Sequence, residues 1–136
     1  MAINSADVTA GVNATATHYN NLRKDYVMGY MLDGAETDGA TITIDWSAAA
    51  KGRIRNVTIA GNRTIAFSNA TVGQAIAIRI TQDATGSRLI TWPTIRWPAG
   101  VTPTLTTAAN KTDMFLIYCI ATNVYEGYIV GQNLGA

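Results

Sequence analysis

Thr41-Ile-Thr-Ile-Asp-Trp46 alternates polar and apolar residues, and Ala75-Ile-Ala-Ile-Arg-Ile80 alternates small and large ones. A period of two places one set of side chains on each face of an extended strand. Working outward, Arg53-Ile-Arg-Asn-Val-Thr-Ile59 alternates in part, and Thr64-Ile-Ala-Phe67 follows it. Between them lies Ala60-Gly-Asn-Arg63, whose Gly-Asn pair suits positive φ. Residues 53–67 are therefore expected to form a hairpin. Arg88-Leu-Ile-Thr-Trp92 is a strand stopped by Pro93, and a long loop runs from Trp97 to Lys111. Met114 to Ala121 reads as a buried strand, paired with Tyr125 to Val130 around a Thr122-Asn123 turn. Short strands at this spacing predict a mainly β fold, an antiparallel, jelly-roll-like β-sandwich. No repeat of 20 to 50 residues is expected from the pattern.

Upstream the period changes. Tyr19, Leu22 and Tyr26 fall at helical spacing behind Thr15 or Thr17 as a cap, and Gly29 or Gly34 ends the segment. The chain thus divides into an N-terminal arm with one short helix (1–38) and a β domain (39–136). A helix of about three turns is marginal alone and must dock.

Composition supports one compact β domain. The chain has 136 residues, 48% of them hydrophobic and 14% charged, a balance unlike that of a disordered tail or a coiled coil. No apolar run approaches the roughly 20 residues of a membrane span, and the N-terminus lacks a signal-peptide pattern. No membrane insertion is expected.

The residues for chemistry are few. His18 and Cys119 are the one histidine and the one cysteine, so a multi-His/Cys zinc site and an internal disulfide are excluded. No serine stands in Gly-x-Ser-x-Gly. Asp33 to Gly39 resembles a calcium loop but misplaces its acids, and reads as an acidic turn. No catalytic residue, metal or cofactor is expected, and the protein reads as not an enzyme.

Charge is unevenly spread over a net +1. Acids dominate residues 1–50, and bases dominate residues 51–96. Lys51, Arg53 and Arg55 alternate and are expected to share one strand face. A nucleic-acid partner is disfavoured because the overall charge is near neutral. The preferred reading is that this basic face meets the acidic arm of the same or a neighbouring chain, with Tyr19, Leu22 and Tyr26 supplying apolar contact. Trp92 and Trp97, in Thr91-Trp-Pro-Thr-Ile-Arg-Trp-Pro98, read chiefly as core packing, and alternatively as a stacking platform.

An ordered set of motifs carries a resemblance. Gly61 to Thr64, Gln82 to Ser87, Trp92 to Gly100, Pro103 to Leu105, Ala109 to Asp113 and Tyr125 to Tyr128 together resemble the β domain of tailed-bacteriophage virion proteins, found in tail fibres and small head or tail decoration proteins. The resemblance covers about residues 40–133. It implies a non-enzymatic virion structural protein, made in the bacterial host cytoplasm. With no long shaft before the β domain, the expected role is that of a decoration or cement protein. It would be a homotrimer bound to capsid or tail proteins. The alternative is a tail-fibre or receptor-binding module contacting host surface glycan through Trp92, Trp97, Tyr125 and Tyr128.

Overall fold

The computed structural model describes residues 34–47 and 52–135. The expected arm helix, with His18, Tyr19, Leu22 and Tyr26, lies outside the described residues, as does Lys51. Among the described residues nine strands follow in order: β1 Gly34–Ala35, β2 Thr41–Asp45, β3 Ile54–Ile59, β4 Arg63–Ser68, β5 Ala75–Gln82, β6 Ile90–Thr91, β7 Ile95–Arg96, β8 Thr112–Ala121 and β9 Val124–Leu134. They form two sheets, of six strands (β1-β3-β5-β8-β9-β7) and three (β2-β4-β6).

The mainly β, two-sheet expectation holds, but the antiparallel jelly roll does not. From β1 to β6 the chain alternates between the sheets, so odd strands stack in one and even strands in the other. Each such neighbour runs parallel. Gly34 lies beside Arg55, Ile54 beside Ala77, Thr41 beside Thr64 and Arg63 beside Ile90. One turn of this winding therefore takes 21 to 27 residues, a structural repeat that the sequence pattern hides. Antiparallel pairing enters with β8, which joins β5 to β9. The β8–β9 hairpin forms as expected, with Asn123 in the left-handed region at φ 57°.

The expected hairpin over residues 53–67 is absent. β3 and β4 lie in different sheets. Neither Gly61 nor Asn62 has positive φ, so the segment is a corner and not the tight turn that would fold β4 back on β3. Its groups bond along the stack instead. Leu89 N–H donates to Asn62 Oδ1 at 3.0 Å, and Thr64 N–H donates to the Ala40 carbonyl at 3.0 Å.

In-register parallel stacking sets like residues over like. Ile42 lies beside Ile65, Ile44 beside Phe67, and Val57 beside Ile80. Ile42, Ile44, Ile59, Ile65, Ile76, Ile78, Ile80 and Ile117 are all buried between the sheets, with Phe115 and Trp46. Each fully buried aliphatic side chain contributes about 1.5–3 kcal/mol, so these ladders carry most of the drive to fold.

A candidate interaction surface

The clearest local constructions are pins that fix loops. Gln82 is buried; its amide nitrogen donates to the Arg88 and Thr106 carbonyls, both at 2.9 Å, and its oxygen accepts from Arg88 N–H at 2.9 Å. Asp83 Oδ1 accepts from the backbone N–H groups of Thr85 (3.1 Å) and Gly86 (2.8 Å), and Arg88 reaches Oδ2 at 2.9 Å. The Arg88 hydrogen bond holds the Asp83 carboxyl below its ordinary value. Gly86 has φ +73°, and a Cβ there would lie 2.5 Å from the Thr107 carbonyl oxygen. Buried Asp113 accepts from Thr106 N–H (2.6 Å), Asn133 N–H (2.9 Å) and the Gln132 amide (3.2 Å). The long 101–111 loop is thereby tied to both β5 and β8, and Gln132 on β9 donates to the Thr104 carbonyl at 2.8 Å.

The aromatic motif residues pack inward. Trp92 stacks edge-on against Phe115 and Trp97, with ring centroids 4.9 and 5.3 Å apart. Tyr125 meets Phe67 at 4.9 Å and Trp46 at 5.7 Å. Trp97 and Tyr125 are each 7% exposed and Trp92 is half-buried against the core, which removes these three from an exposed receptor platform. Of the four expected receptor contacts, Tyr128 is the one that stands open, at 44%.

The basic face is also revised. Arg55 is buried on the inner side of β3, where its guanidinium contacts Glu36 Oε1 at 2.9 Å and the Asp45 carbonyl at 2.7 Å. Ile54, its neighbour, faces out. A charged residue was expected to mark the solvent face, but pairing lets it sit inside, and the phase of the strand shifts by one residue. Arg53 precedes β3 and lines a shallow recess of about 330 Å³ with Gly73, Gln74 and Ala75. Arg53 and Arg55 therefore do not form one exposed patch.

The acidic turn pairs with the domain that follows it. Besides the Glu36–Arg55 pair, Arg63 grips Asp38 with two bonds of 2.7 and 2.6 Å. That bond from Arg63 lowers the Asp38 carboxyl from its ordinary value. Of residues 34–38, grouped with the arm by sequence, Gly34 and Ala35 pair with β3, and Glu36 and Asp38 are held against the sheets by Arg55 and Arg63. Among the described residues no group of three or more His, Cys, Asp or Glu is placed to hold a metal ion. No helix among them is long and apolar enough to cross a membrane.

The surface that sequence reasoning missed lies on the outer face of the larger sheet. Ile54, Ala77, Leu116 and Tyr128 form one row across β3, β5, β8 and β9. Ala75, Tyr118 and Glu126 form the next. Leu116, Tyr118, Ile120, Glu126 and Tyr128 line a groove of about 480 Å³. The Tyr118 and Tyr128 rings meet edge to face at 6.1 Å, and Tyr128 Oη donates to Glu126 Oε2 at 3.4 Å. The nearby Glu126 charge raises the Tyr128 phenol above its ordinary value. The signal was present in the Met114–Ala121 run, which is apolar on both faces, although β8 buries one. Compared with known proteins, the chain matches no family model, no curated protein and no solved structure.

Proposed function

We propose that this chain is a non-enzymatic structural protein of a tailed-bacteriophage virion, acting as a trimeric decoration or cement protein on the particle. The observation that carries the reading is where the resembling motifs fall. Gln82 to Ser87, Trp92 to Gly100 and Ala109 to Asp113 include the residues that pin the long loop and wedge the tryptophans against Phe115. Gln82, Asp83 and Asp113, polar residues of those motifs, are occupied in holding the fold, which supports a structural reading of the motifs. A tightly pinned β domain suits attachment to a repeating particle surface. The receptor-binding alternative is less favoured, because Trp97 and Tyr125 serve the core.

The test is cosedimentation of the purified chain with phage particles that lack it, together with light scattering of the free chain. The proposal expects saturable binding to particles and a trimer mass. A monomer that never sediments with heads or tails refutes it.

A further inference from the structure

We draw no further inference here: the strongest candidate, the apolar groove that Leu116, Tyr118, Ile120, Glu126 and Tyr128 line on the outer face of β8 and β9, carries none because nothing in the structure shows what covers it.

Discussion

Replacing Arg55 tests the reassignment of a surface charge to the core. The side chains of Arg55 and Glu36 are 1% and 4% exposed, and their charged atoms lie 2.9 Å apart. The guanidinium also donates to the Asp45 carbonyl, linking β3 to the end of β2. Arg55→Met leaves the Glu36 carboxylate buried beside an apolar side chain. Removing one member of a buried pair costs about 3–5 kcal/mol, a large part of the roughly 5–15 kcal/mol that holds a domain together. At a urea slope near 2 kcal/mol per molar, the unfolding midpoint should fall by about 2 M. Trp46, Trp92 and Trp97 provide the fluorescence signal. Arg55→Met with Glu36→Leu should recover most of the loss, because an apolar pair of similar volume carries no desolvated charge. A loss under about 1 kcal/mol for Arg55→Met, the range of an exposed ion pair, would refute the buried assignment.

Three further outcomes are expected. Gly86→Ala should destabilise the fold by more than about 1 kcal/mol in the same urea assay, through positive φ and the Thr107 carbonyl 2.5 Å from the new Cβ; a neutral result contradicts that packing. Asp38, Asp45 and Asp83 all have lowered carboxyl values, chiefly through hydrogen bonds from Arg63, Ser47 and Arg88 respectively. The unfolded chain binds protons first, near pH 4, so urea midpoints should be full above about pH 5 and fall progressively as acid reaches the lower folded values; stability that rises on acidification would reverse the sign. The Cys119 thiol is buried and pushed above its ordinary value by desolvation, so a thiol reagent at about pH 8 should label it after unfolding and not before. Rapid labelling of the native chain would contradict its burial.

The strands were legible because a period of two survives in Thr41–Asp45 and Ala75–Ile80 whichever sheet receives them. The winding was not, because alternation is the same in parallel and antiparallel strands. Its repeat was hidden by unequal turns, with 21 residues from Gly34 to Arg55 and 27 from Arg63 to Ile90. Gly61-Asn62 matched a tight-turn signal, yet its φ values place it at a corner between sheets. At Arg55, residue type misled: charge was read as exposure, and a partner 19 positions upstream reversed it. Trp92 and Trp97 followed the packing expectation, since Gly127 leaves the space into which Trp97 fits, a Cβ there standing 2.5 Å from the indole. The outer groove depended on how Leu116, Tyr118 and Tyr128 align across β8 and β9, and register of that kind is set by the whole sheet.

The most direct test of the proposed role is a gold label on native particles. A short epitope tag on this chain, in phage grown with it, should place gold at regular positions on the outside of purified heads or tails, with the label following the particles through a density gradient. Tagged chain that stays at the top of the gradient, with particles bare of gold, would contradict a structural role on the virion.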